Sequence, residues 1–252
     1  MTDNRMKLKI CGQKHNVEEV AALQPDYLGF IFWEPSSRFL DGMISSLDPG
    51  IKKVGVFVDA EREEVLEKVK KYKLDAVQLH GKESAEFCKE LEKNLFVISN
   101  RHPELVEGKG EKSKEIPQSL CSFQNDRKID IIKAFSINPD SYRDEFDFYV
   151  LKEYEDVCDY FLFDTKGKLP GGTGLTFDWK VLKDYPFSKP YFLSGGIGLE
   201  NLDSLLSFLR TQESKYCHAI DVNSRFETAP GLKDVEKLKE FKKIITRIGK
   251  TK

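Results

Sequence analysis

The chain has 252 residues, 40 of them basic and 42 acidic, for a formal net charge of −2, so nothing draws it generally to nucleic acid or to an anionic membrane, and any phosphate must be gripped locally. That length suits one closed α/β barrel around one large core better than two domains. Cys11, Cys88, Cys121, Cys158 and Cys217 are odd in number and include no CxxC pair, which argues against a disulfide framework or a zinc site and for a reducing cytoplasm.

In chain order, short apolar or β-branched runs alternate with charged segments whose apolar residues recur three and four apart, the pattern of βα units around a parallel sheet. Residues 8–10 read as a strand and 17–23 as a helix; 27–32 as a strand with no clear helix after it; 53–58 and 76–79 as strands followed by helices at 61–72 and 84–91. Further strands fall at 131–135, 160–163, 191–194 and 219–222, with a short helix within 178–184 and longer ones at 199–209 and 234–248. Eight strands in a chain of this length predict an α/β fold made of one (β/α)8 barrel spanning 1–252. The polar start and the lack of any apolar run near ~20 residues predict neither a leader nor a membrane anchor.

Residues 99–128 break the pattern: they are polar, hold Pro103, Gly108, Gly110 and Pro117, and keep no period, which predicts a long, mobile surface insertion. It lies after a helix and before a strand, on the face opposite the strand C-termini, so chemistry should not depend on it. His102, inside it, is discounted.

Reactive groups in such a barrel stand at strand C-termini and in the loops beyond. Here those positions hold Cys11-Gly12, Arg38, Asp59, His80-Gly81, Asp164-Thr165-Lys166, Gly195-Gly196 and Asp221-Val222-Asn223-Ser224. Cys11 is a candidate base. A free thiol titrates near about 8.5, so it needs a neighbour that stabilises thiolate, and Lys9 shares its strand face; a small buried hydrophobe is the alternative reading. Asp164 ends the apolar run Tyr160-Phe161-Leu162-Phe163, whose wall would help it hold a proton as a general acid; capping the next segment or pairing with Lys166 is the alternative. Gly195-Gly196 ahead of a helix, with Ser224 beyond the last strand, suits a phosphate, although glycines also make plain turns. The glycine-rich segment 167–174 reads either as a loop closing over substrate or as a connector. Arg38 suits a carboxylate or simply solvent, His80 a ligand or the backbone, and Asp59 a helix N-cap.

These residues, in order, resemble the phosphoribosylanthranilate isomerase family of tryptophan biosynthesis. The resemblance rests on Lys9-Ile10-Cys11-Gly12, Leu28-Gly29-Phe30-Ile31-Phe32, Ser36-Ser37-Arg38, Val54-Gly55-Val56-Phe57-Val58, Val77-Gln78-Leu79-His80-Gly81, Phe163-Asp164-Thr165-Lys166, Gly171-Gly172-Thr173-Gly174, Leu193-Ser194-Gly195-Gly196-Ile197 and Asp221-Val222-Asn223-Ser224. It implies an Amadori rearrangement of N-(5'-phosphoribosyl)anthranilate without metal or organic cofactor, in which Cys11 removes the C2' proton and Asp164 protonates the ring oxygen. It further implies Arg38 at the anthranilate end, His80 and Asp221 near the substrate, and Gly195, Gly196 and Ser224 at the phosphate. Two departures bear on this: Ser37 stands where proline usually precedes the arginine, and Arg225 where glycine often follows the serine. A histidine-pathway isomerase would carry aspartate in place of Cys11. A metal-dependent epimerase would need several ligands where only His80 stands. A non-catalytic phosphosugar-binding barrel would not require both acid and base. Oligomeric state is left open.

Overall fold

The structure, a computed structural model, describes residues 5–99, 128–139, 146–166 and 176–247. Eight parallel strands, β1 (Lys7–Ile10), β2 (Tyr27–Ile31), β3 (Lys52–Phe57), β4 (Ala76–Leu79), β5 (Asp130–Ile137), β6 (Tyr160–Thr165), β7 (Tyr191–Leu193) and β8 (Cys217–Val222), close into a barrel in sequence order. Closure is direct: β1 pairs with β8 over four residues, including Lys9 against Asp221. All eight expected strands are therefore present.

The outer layer is less regular than the inner one. Helices α1 (Val17–Ala21), α2 (Arg62–Tyr72), α3 (Ala85–Ser99), α4 (Leu202–Leu209) and α5 (Val235–Ile245) follow β1, β3, β4, β7 and β8. No helix follows β2, and the described residues after β5 and β6 form 3-10 turns, Phe148–Tyr154 and Trp179–Asp184. α3 runs eight residues past the expected end at Leu91, because Cys88, Leu91 and Leu95 continue one buried stripe. Asp59 does not cap α2, as expected from sequence; Glu61 holds that position, and Asp59 instead accepts from the amide of Lys82. A short antiparallel hairpin, β9 (Glu227–Ala229) and β10 (Leu232–Lys233), follows β8 and was not foreseen.

Strand alternation divides the apolar residues into two cores. Outward positions such as Leu8, Ile10, Phe57, Phe161, Phe163 and Ile220 pack against the helices. Inward positions Tyr27, Val54, Ala76, Ile132, Ala134, Leu162, Phe192 and Ala219 fill the barrel interior. One step further toward the C-terminal end, the inward row becomes polar on β1, β4, β6 and β8: Lys9, Gln78, Asp164 and Asp221 are all buried. The apolar layer is thus the floor on which the polar layer stands.

Of the expected 99–128 insertion, only Ser99, which closes α3, and Lys128, ahead of β5, are described; residues 100–127, His102 among them, lie outside the described residues, as do 167–175. Among the described residues, no helix is long and apolar enough to cross a membrane.

The ring of Phe192 is edge-on to Tyr27 at 5.2 Å and to Tyr160 at 5.4 Å, with no exposed surface. Phe192→Ala should therefore cost about 3–5 kcal/mol in urea unfolding, and a loss below about 1 kcal/mol would show that the floor collapses to fill the gap.

Candidate active site

Cys11, His80, Asp164, Gly195, Gly196, Asp221 and Ser224 all line one cavity at the C-terminal end of the barrel, together with Gln78, Ser194 and Asn223. Seven of the eight residues expected from the sequence are thereby brought together. Arg38 stands apart from that lining.

Cys11 follows β1 and donates its amide to Val222 O at 2.8 Å, which holds the thiol at the barrel mouth. Its room comes from a neighbour: a Cβ on Gly29 would meet the Cys11 Sγ at 2.8 Å and its Cα at 3.1 Å. Only glycine fits beside the thiol. Burial pushes the Cys11 thiol above its ordinary pKa, and Lys9 and Lys233 only partly pull it back. The expected help from Lys9 is real but does not win.

Lys9 has no exposed surface, and its ammonium donates to Asp221 Oδ2 at 2.7 Å and to Gln78 Oε1 at 2.8 Å. Burial opposes that charge, yet Asp221 and Cys11 together hold its pKa above the usual value, so Lys9 is cationic. For Asp221, burial outweighs Lys9 and lifts its pKa above the carboxylate norm. Its second oxygen, Oδ1, is buried with no partner in the protein, an acceptor waiting for a donor.

Asp164 is not walled in by its aromatic neighbours in sequence. Phe161 and Phe163 turn outward, Phe163 packing edge-on to Tyr191 and Tyr185, so the inward face below Asp164 holds Leu162 and, one step deeper, Tyr160. The Asp164 partner is His80, whose Nε2 lies 3.2 Å from Oδ2, rather than Lys166, while Oδ1 accepts from the Thr165 amide at 2.9 Å. His80 Nδ1 is in turn 2.8 Å from Gln78 Nε2.

The loops after β7 and β8 converge on the other end of the cavity. Gly195 and Gly196 have φ of 93° and 59°, and a Cβ at Gly195 would strike Thr165 Oγ1 at 2.1 Å. This turn requires glycine for both conformation and space. Arg225 borders the cavity and pairs with Glu200 at 2.9 Å.

Arg38 is engaged by a residue that sequence reading did not flag. Its Nε and Nη2 grip Glu227 at 2.7–3.0 Å, and Lys233, also buried, donates to Glu227 Oε1 and Asn223 Oδ1 at 2.8 Å each. Burial disfavours the Glu227 carboxylate, but Arg38 and Lys233 hold its pKa below the usual range. Glu227 and Lys233 sit on the β9–β10 hairpin, and no local pattern links them to Arg38. Gln78, by contrast, lies two residues before His80, and strand alternation alone places both on the inward face. Among the described residues, no group of three or more His, Cys, Asp or Glu could hold a metal ion.

Acid–base groups delivered from β1, β4, β6 and β8 to the C-terminal mouth of a closed barrel place the chain among the (β/α)8-barrel enzymes. The family model described as N-(5'phosphoribosyl)anthranilate (PRA) isomerase matches residues 8–119 and 114–244, and the chain belongs to that family. It is 39% identical to the N-(5'-phosphoribosyl)anthranilate isomerase of Parabacteroides distasonis over 94% of this chain and 91% of that one. Its structure resembles the phosphoribosyl anthranilate isomerase of Thermotoga maritima, with a TM-score of 0.68 and 28% identity over 96% of this chain and all of that one. A phosphoribosyl anthranilate isomerase in complex with reduced 1-(o-carboxyphenylamino)-1-deoxyribulose 5-phosphate is also similar, with a TM-score of 0.63 and 25% identity over 96% of this chain and 100% of that one.

The thiolate is the species that alkylates, so reaction of Cys11 rises with pH through its pKa. Because that value is raised, the midpoint of iodoacetamide labelling, followed by mass spectrometry against Cys11→Ser, should lie above the ordinary thiol value of about 8.5. A midpoint near neutrality would mean that the nearby ammonium groups outweigh burial.

Proposed function

We propose that the chain converts N-(5'-phosphoribosyl)anthranilate into 1-(2-carboxyphenylamino)-1-deoxyribulose 5-phosphate, a step of tryptophan biosynthesis, with Cys11 as general base and Asp164 as general acid. The observation that carries this reading is that both residues line one cavity from separate strands, β1 and β6. Asp164 gives its proton to the furanose ring oxygen, and the C1'–O bond breaks to leave an iminium at C1'. Cys11, as thiolate, takes the proton from C2'; the electron pair neutralises the iminium and gives an enolamine, which tautomerises to the ketone. One proton goes to oxygen and one leaves carbon, so two distinct groups are needed.

Apart from that of Arg38, which stands outside the lining, the remaining roles fall on the same cavity. The partnerless Asp221 Oδ1 accepts from a ribose hydroxyl. Backbone amides of Gly195 and Gly196, with Ser224, face the phosphate across the two converging loops. Glu227 takes one edge of the Arg38 guanidinium; a guanidinium has five N–H donors, so its opposite edge serves the anthranilate carboxylate. Both nitrogens of His80 are engaged, so it meets the ligand through ring carbons. Cysteines without a pairing pattern suit a cytoplasmic location.

Addition of purified protein to phosphoribosylanthranilate should abolish the substrate's fluorescence, whereas a protein that only binds phosphosugars would leave it undiminished. Asp164→Asn and Cys11→Ser should each lower kcat by about 10²–10⁴-fold with substrate binding retained, since the phosphate and carboxylate contacts lie elsewhere. Normal turnover in either variant would assign the acid or the base to another group.

We also propose that residues 99–128 are an insertion in a single barrel domain and play no part in chemistry. The residues that bracket it, at the end of α3 and ahead of β5, lead toward strand N-termini rather than the cavity. Replacing 100–127 with a short linker should leave kcat/KM within about threefold, which is less than about 1 kcal/mol of transition-state stabilisation. Collapse of turnover in a variant with a native unfolding transition would place this segment at the active face.

A further inference from the structure

A line of hydrogen bonds crosses the barrel mouth from Asp221 through Lys9, Gln78 and His80 to Asp164. Most of its members have only one possible role at each contact. An ammonium only donates, so the Gln78 amide must turn its oxygen to Lys9, at 2.8 Å. The amide NH2 also only donates, and it faces His80 Nδ1 at 2.8 Å. Nδ1 must therefore accept and carry no hydrogen. A neutral imidazole then has its single proton on Nε2, which lies 3.2 Å from Asp164 Oδ2.

We propose that Gln78 is a positioning residue for the reaction: pinned by Lys9, it locks His80 as the neutral Nε2–H tautomer, so that Asp164 is held by a neutral donor rather than by a cation. The proposal rests on the reading of Asp164 as general acid. Protonating His80 would set N–H against N–H at Gln78, and flipping the amide to relieve this would set NH2 against the Lys9 ammonium. Either conflict falls on a side chain that is only 1% exposed, where a donor set against a donor is costly. An imidazolium 3.2 Å from Asp164 would favour carboxylate over carboxyl and strip the acid of the proton it must deliver.

Among the described residues, the surroundings supply no other cation in contact with His80. From β1 come Lys9 and Cys11, with Lys9 directed to Asp221 and Gln78. From β8 comes Asp221, and from β6 Asp164 itself. From β5, Lys133 is turned to Glu83 and the Gly81 carbonyl. Asp59, after β3, accepts from the Lys82 amide, and Glu83 from the Asp59 and Gly81 amides. Val56, Val58 and Ser194 complete the near wall of the cavity; Arg225, at the rim, is paired with Glu200.

The tautomer is read directly by nitrogen-15 NMR of the full chain labelled in histidine, with His80 assigned by its loss in His80→Asn. Near neutral pH, Nδ1 should be unprotonated and Nε2 protonated; a protonated Nδ1 would overturn the proposal whatever the turnover shows. Gln78→Glu keeps an acceptor for Lys9 but presents a carboxylate to Nδ1, which stabilises the imidazolium. The acid works only while Asp164 is protonated, and a neighbouring cation makes it lose that proton at lower pH. The falling alkaline limb of kcat should thus move down by about one pH unit or more, with KM changed less than about twofold. An unmoved limb, with both ring nitrogens of His80 protonated in the variant, would also overturn it. Undiminished turnover in Asp164→Asn marks the other failure, that of the general-acid reading, and leaves the tautomer measurement standing on its own.

Discussion

The site is organised by one buried charge. Lys9 places an ammonium with no solvent contact at the barrel mouth, and an unpaired charge there would cost several kcal/mol. Its pairing with Asp221 and Gln78 is therefore obligatory, and each partner is constrained by it. Asp221 is left with one oxygen occupied and one open to the cavity. Gln78 is left with its NH2 directed at His80. Cys11 receives a nearby positive charge that tempers, without cancelling, the cost of burying a thiolate. Closure of β1 against β8, which sets Lys9 opposite Asp221, thus shapes the candidate site as well as the barrel.

The apolar floor makes this polar layer affordable. Tyr27, Phe192 and their neighbours seal the interior from the N-terminal side, so water reaches the reactive groups only from the mouth. That low-dielectric floor strengthens each pairing above it and penalises any group left out. The enclosed layer favours a single hydrogen-bond pattern.

Outside the interior, ion pairs link loops that come from distant parts of the chain. Glu227 joins Arg38, after β2, to Lys233 on the β9–β10 hairpin, and Lys233 reaches Asn223 beyond β8. This bridge ties the loop that carries Arg38, where no helix follows β2, to the loop that carries Ser224. The expected pairing of Arg38 with a substrate carboxylate must therefore share its fork with a resident one. The opposite end of the cavity is shaped by backbone geometry, at Gly195 and Gly196, and by the contact of Gly195 with Thr165.

Much of the fold was legible along the chain, because strands of a parallel barrel are short apolar runs bounded by polar loops, and that contrast is local. The irregular outer layer was legible in outline, with no clear helix after β2 and only a short one within 178–184, but its exact form depends on which barrel surface each segment must cover. Cys11, His80, Asp164 and Asp221 could be picked out because strand ends are read from sequence and acid–base chemistry needs titratable side chains there. Gln78 was overlooked, since an amide has no titrating proton and matters only through what stands on either side of it. Glu227 and Lys233 carry no signal until a hairpin folds them back beneath Arg38. The sequence by itself determined the order of strands, the residue types at their ends and the family. Only the tertiary structure decided which groups pair, that Asp164 answers to His80 rather than to Lys166, and that Arg38 is already held. Hydrogen bonds and ion pairs between strands far apart in sequence exist only once closure brings β1 to β8.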